Sequence, residues 1–356
     1  MPREYHLTAN PEYVLIQQTA VTSGNRIEAS KTFNMKKFPL LILLTLVIGQ
    51  LEAQEGRRTV KQLKITILST MLSQRGIGEW GFSALVEADS TKILFDAGGR
   101  EKTVLENCKE LNIDLSNVAT LILSHNHGDH TVGWLPLRNA MRKVQPNALS
   151  ITHVGKGLFD TRISASGEEN RSRQSDSLVY VETGGQIKVH NSFVEIYPGI
   201  FLTGPVPRKY PEKNYGLGGN IIRKKDAAGK IVEDIVPEDM SLVIRTEKGL
   251  VVVSGCGHSG IINTVDYVQN NLQQQPVLAA IGGFHLLENT DEQIKWTAGQ
   301  LKQSGLRYFM GAHCTGIEPV YQIREWVGLQ RGECIVGSVG SFFDLDKGFV
   351  TGPLTK

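Results

Sequence analysis

Residues 125–130 read His-Asn-His-Gly-Asp-His and follow directly on the apolar run LILS. Two imidazoles two residues apart, then a carboxylate and a third imidazole, converge where a strand ends and the chain turns into a helix. Neutral imidazole and carboxylate suit Zn, with Fe or Mn as alternatives. Four such groups in one short loop exceed what a single four-coordinate ion takes from one place, so two divalent metal ions are expected. The competing reading is a surface turn that happens to be rich in His. With nine His in the whole chain, three at metal-ligand spacing in one loop argue against it. The fold must therefore present a strand end to a cavity that other strand ends can also reach.

The surrounding pattern supplies such strands. LKITILS, FSALVEA and TKILFDAGG alternate as a meander, KTVLENCKEL has helical spacing, and ATLILS leads into the His cluster and a second helix over about 132–142. The middle is less regular, with strands expected at ALSITHV and around VYVET. The second half repeats this alternation, with a hairpin in SLVIRTEKGLVVVSGCGH, a helix in IINTVDYVQNNL, a strand in PVLAAIGGFHL, a helix capped by Thr290, and a strand in LRYFMGAHCTG. Two halves of this kind predict an α/β protein of two sheets with helices outside, packed face to face as one domain. With 40% apolar and 21% charged residues, the chain can bury such a core, and disordered or collagen-like classes are excluded. Lys and Arg number 38 against 36 Asp and Glu, with no long basic run, so no nucleic acid is expected as a partner.

Met35, Lys36 and Lys37 precede the apolar stretch at residues 38–49, and small Ala53 follows. This is the pattern of a secretory signal peptide over 35–53, too short for a confident membrane span. Translation is expected to start at Met35, which makes residues 1–34 a non-native N-terminal extension and 54–356 the mature domain. The implied location is periplasmic or secreted, with no stable membrane anchor. Of the four Cys, Cys256 and Cys314 each lie near a His in a Gly-containing turn and are expected to stay reduced or near metal. Cys108 and Cys334 read as ordinary thiols.

The cluster resembles the HxHxDH signature of the metallo-β-lactamase superfamily, and the resemblance extends over most of the mature chain. It implies a four-layer αββα sandwich of two mixed sheets with outer helices. It also implies that His125 and His127 bind one ion, that Asp129 and His130 bind the other, and that His313 in MGAHCTG completes the second site. Asp96 in ILFDAGG matches the strand-end Asp that supports the metal loop. Where the superfamily offers a His after the middle strands, this chain has GPVPR at 204–208; where it offers a bridging Asp, it has GCGH at 255–258. His258 is the natural substitute ligand, and Cys256 stands in the place of the bridging carboxylate, either as a thiolate ligand or as lining. GPVPR, GCGHSGIIN, GGFHL, AHCTG and VGSVGS together resemble the branch whose archaeal members are named dihydropterin-methyl-ribofuranosylaminobenzene-phosphate synthase. Trp80 stands where that branch is expected to carry His.

The expected activity is metal-dependent hydrolysis of an ester, amide or phosphoester through a metal-bound hydroxide, since a bound dication lowers the pKa of its water towards ~7. Asp129 would orient that water or shuttle its proton, and His285 or Arg208 would stabilise the developing oxyanion. The partner is a small-molecule substrate, anionic if Arg208 grips it through its guanidinium. His285 could equally be a core residue and Arg208 a solvated loop residue; His153, inside a strand, reads as structural. The alternative function is a pterin-linked transferase, which export disfavours.

Overall fold

The chain divides into two units, Met1–Glu52 and Ala53–Lys356. The computed structural model describes residues 58–355, apart from 165, 215 and 217–221. The expected extension over 1–34 and signal peptide over 35–53 lie outside the described residues. No helix among the described residues is long and apolar enough to cross a membrane.

An eight-stranded sheet runs, from one edge, through Gly348–Val350, Phe342–Asp344, Leu63–Ser69, Ser83–Ala88, Thr91–Phe95, Thr120–Leu123, Ile151–Gly155 and Gln186–His190. Its first five strands pair antiparallel, and the last three join Thr91–Phe95 in parallel. A seven-stranded sheet repeats the plan. Val194–Tyr197, Ile200–Leu202, Leu242–Thr246 and Gly249–Ser254 are antiparallel, and Val277–Gly282, Tyr308–Gly311 and Cys334–Val336 follow in parallel. The strands LVVVS and VLAAI are buried residue after residue because each faces the other sheet on one side and helices on the other.

Three apolar clusters fill this layering. Ile65, Ile67, Val86, Ile93, Leu242, Val251 and Ile281 meet between the sheets. Val252, Ala280 and Phe309 turn outward under helices Ile261–Asn271, Asp291–Gln303 and Ile317–Val327. Leu94, Leu121 and Leu123 do the same under helices Thr103–Glu110 and Trp134–Met141. The result is a four-layer αββα sandwich. Helix Asp291–Gln303 begins in a capping box, with Thr290 Oγ1 and Gln293 satisfying each other's backbone N–H groups.

The segment around VYVET is a correction. It lies in helix Ser172–Glu182, not in a strand. Val179, Tyr180 and Val181 carry the β-branched and aromatic signature of a strand, but the deciding contact is tertiary. Tyr180 is fully buried against Trp134, ring centroids 4.7 Å apart, and donates its hydroxyl to the Leu149 carbonyl at 2.8 Å. Unforeseen from sequence was a small four-stranded sheet made of Arg162–Ile163, Glu169–Asn170, Arg223–Lys225 and Ile231–Glu233.

Candidate metal centre

Strand ends from both sheets build the site. Asp96 follows Thr91–Phe95 and the His cluster follows Thr120–Leu123; Cys256 and His258 follow Gly249–Ser254, His285 follows Val277–Gly282, and His313 follows Tyr308–Gly311. Carboxyl ends of parallel strands are where an α/β sheet leaves a crevice for ligands. The two glycine turns of the second sheet pack backbone on backbone: a Cβ on Gly283 would stand 2.0 Å from the Gly255 carbonyl oxygen. Asp96, His285 and His313 hold left-handed backbone, with φ of 57, 48 and 48°, a conformation that non-glycine residues adopt at a cost.

The ligand-type atoms form two groups, each with its members within 4.8 Å of one another: His125, His127 and His258, and beside them Asp129, His130, Cys256 and His313. His258 thus stands with the first pair of imidazoles, and Cys256 with the second group. The groups meet at His125 and His130, whose ring centroids are 4.3 Å apart.

A network behind the rings sets their tautomers. Asp96 accepts the Ser124 N–H, the Ser124 hydroxyl and His130 Nδ1–H, each at 2.7 Å, and Ser124 Oγ accepts His125 Nδ1–H at 2.9 Å. His258 Nδ1–H donates to the Asn214 carbonyl. With these protons committed, the Nε2 lone pairs of His125 and His258 face each other at 3.2 Å, and His130 Nε2 lies 3.1 Å from Cys256 Sγ and 3.3 Å from His313 Nε2. The facing lone pairs of His125 and His258 repel unless a cation lies between them. The donor set of imidazole, carboxylate and thiol therefore fits divalent metal.

The electrostatics agree. Burial, reinforced by neighbouring imidazoles, holds His125 and His258 well below the ordinary His value; burial brings His127 and His285 to about 4. These rings are neutral, and so competent as ligands, at pH 7. Burial also works against charge on His130, but the carboxylates of Asp96 and Asp129 outweigh it and raise the group to about 9. A metal arriving at this nitrogen would displace its proton. Asp129 is likewise opposed by burial, yet His130 and His313 keep it well below the usual carboxylate range. Burial pushes the Cys256 thiol up, so only a cation would make it a thiolate.

The groups open onto a cavity of about 250 Å³ lined by His127, Asp129, Cys256, His258, His285 and His313, among others. His285 faces this space, its ring 4.8 Å from that of His258. Arg208 is occupied elsewhere: it donates to the His258 carbonyl at 2.6 Å and to the Ile235 carbonyl, bracing the GCGH loop. His153 is buried and bonds His190 at 2.8 Å, away from the centre. All four Cys are buried and free.

Sequence reasoning missed Ser124, Asn214 and a brace under the loop. Glu238 accepts the Asn126 N–H at 3.2 Å and is paired with Arg162 at 2.5 Å, and Arg162 also reaches Asp234 at 2.8 Å. Ser124 could have been noticed beside the cluster. Asn214 acts through its carbonyl, which every residue possesses, so its side chain left no signal.

A two-sheet sandwich with paired ligand groups at its strand ends defines a metal-binding class, and comparison with known proteins names it. A model of the metallo-beta-lactamase superfamily matches residues 81–185. The chain is 33% identical over 248 residues to the 7,8-dihydropterin-6-methyl-4-(beta-D-ribofuranosyl)-aminobenzene-5'-phosphate synthase of Methanocaldococcus jannaschii, covering 67% of this chain and 81% of that protein. An uncharacterized protein of the same organism is 29% identical, over 80% of this chain and 100% of its own length. A crystal structure described as a metal-dependent hydrolase of the beta-lactamase superfamily superposes with a TM-score of 0.60 at 26% identity, covering 79% of this chain and 98% of that one. This chain belongs to the metallo-beta-lactamase superfamily.

Proposed function

We propose that the protein is an exported metal-dependent hydrolase with two divalent ions, Zn before Fe or Mn, acting on an ester, amide or phosphoester. The observation that carries the reading is the pair of adjacent ligand groups at the floor of one cavity. His125, His127 and His258 would hold one ion, and Asp129, His130, Cys256 and His313 the other. When bound, such ions polarise a carbonyl or phosphoryl oxygen and acidify water.

The chain's own groups do the rest. Asp129, ionised and lining the cavity, is placed to accept a hydrogen bond from the attacking water and so orient it. His285, neutral at pH 7, donates an N–H to the oxygen on which charge develops. Arg208 does not share that task, because its guanidinium donates to backbone carbonyls. The 26% identical neighbour described as a metal-dependent hydrolase supports this reading. The name of the 33% identical synthase favours a second one, a pterin-linked transferase in which the same ions would hold a leaving group.

Metal analysis and a panel of esters, amides and phosphodiesters test the proposal. We expect about two ions per chain, hydrolysis of at least one class, and loss of that activity in His127→Ala. Cobalt substitution should show a sulfur-to-metal charge-transfer band that disappears in Cys256→Ser. Product formed from a pterin diphosphate and an aminobenzene riboside, with no hydrolysis, would replace this reading by the second.

A further inference from the structure

Among the described residues, Trp80 is the large aromatic side chain that borders the metal cavity. It is 44% exposed, and its indole lies 4.7 Å from the His313 ring, tilted by 56°. Leaving an indole in water stabilises nothing, and the chain on either side of it is fixed. Glu79 is 4% exposed and accepts the Ser69 hydroxyl at 2.6 Å and the Gly99 N–H at 3.0 Å, while its own N–H donates to Thr70 O at 2.9 Å. Phe82 is fully buried, and its N–H donates to the Asp129 carbonyl at 3.1 Å. A Cβ on Gly99 would stand 2.4 Å from the Trp80 carbonyl oxygen, so the loop cannot sink towards its neighbour. The exposed ring thus hangs from a main chain held between buried anchors, and little main-chain freedom remains to be lost when something lies against it.

The rest of the wall limits what that is. Among the described residues that line the cavity there is no Lys or Arg; Ile222 adds apolar surface to the same wall. None of those described residues would pair with an anionic group remote from the reacting atoms.

We propose that Trp80 is the specificity-determining residue of this site, a shelf for a flat, uncharged ring attached to the reacting carbonyl or phosphoryl group. This rests on the metal-dependent hydrolase reading above, and it replaces the expectation of a remote anionic group gripped by Arg208.

The test uses the zinc-loaded full-length chain, with Trp80→Ala and Trp80→Phe. The ratio of kcat/KM for β-naphthyl acetate to that for ethyl acetate should fall roughly tenfold in Trp80→Ala, through KM, and recover in Trp80→Phe. An unchanged ratio, or equal loss on both esters, overturns the proposal. Calorimetric binding of β-naphthamide gives a readout independent of turnover. It should weaken about tenfold in Trp80→Ala, and equal affinities or no binding to the wild type would overturn the shelf. Absence of turnover with ring-dependent binding intact would count against the hydrolase reading alone.

Discussion

Replacing Asp96 by Asn keeps the shape of a fully buried side chain and changes one acceptor into a donor. The carboxylate takes three hydrogen bonds of 2.7 Å, from the Ser124 N–H, the Ser124 hydroxyl and His130 Nδ1–H. An amide can accept on one oxygen only, so its NH₂ must face either the backbone N–H or the hydroxyl and imidazole. Hydrogen bonds to a charged group contribute about 1.5–3 kcal/mol each, so losing one or two of them should cost about 1.5–6 kcal/mol in the metal-free protein. The geometry adds a second effect. If the amide faces His130 Nδ1, that nitrogen must give up its proton, and the neutral ring then keeps one only on Nε2, the nitrogen that points at Cys256 and His313. Ser124 Oγ also accepts His125 Nδ1–H, so both ligand groups lose orientation. Zinc affinity should fall about 10–100-fold, as removal of such supporting groups commonly causes. Urea denaturation of the chelator-treated protein and zinc titration against a competing chelator measure the two effects. An Asn variant with zinc affinity within twofold of the wild type would refute the claim that Asp96 sets the tautomers.

The backbone contact behind the site gives a steric test. Gly283→Ala puts a Cβ 2.0 Å from the Gly255 carbonyl oxygen, and overpacking of this kind should cost about 1–3 kcal/mol and lower Tm by several degrees. Arg208→Ala should weaken zinc binding along with stability, because it frees the His258 carbonyl; a rise in KM with metal affinity intact would restore the substrate-gripping role. His153 titrates at about 4, held down by burial and then by His190 and Lys188. The unfolded chain binds that proton near the ordinary value of 6.5 and the folded one does not. The group's contribution is therefore complete above 6.5 and lost as pH falls towards 4. His153→Gln should remove about 1–3 kcal/mol of the stability difference between pH 7 and pH 4.5, seen as a smaller drop in urea midpoint than the wild type shows.

What the sequence carries by itself is whatever lies within a few residues along the chain. His125, His127, Asp129 and His130 are legible because one loop holds them, and the two halves are legible because the strand alternation and Thr290 cap are local signals. The four-layer class follows from those halves together with the family resemblance. The assignment of the distant groups was not local. His258 joins His125, and Cys256 and His313 join His130, only because the two sheets bring their strand ends to one crevice. Packing also turned VYVE into a helix by burying Tyr180 under Trp134, against its strand-like composition. It directed the Arg208 guanidinium to backbone carbonyls and left Trp80 over the cavity. A side chain's chemistry is a property of its residue type. Which neighbour it meets depends on which faces of the two sheets are buried together, and that is settled only when the sandwich closes.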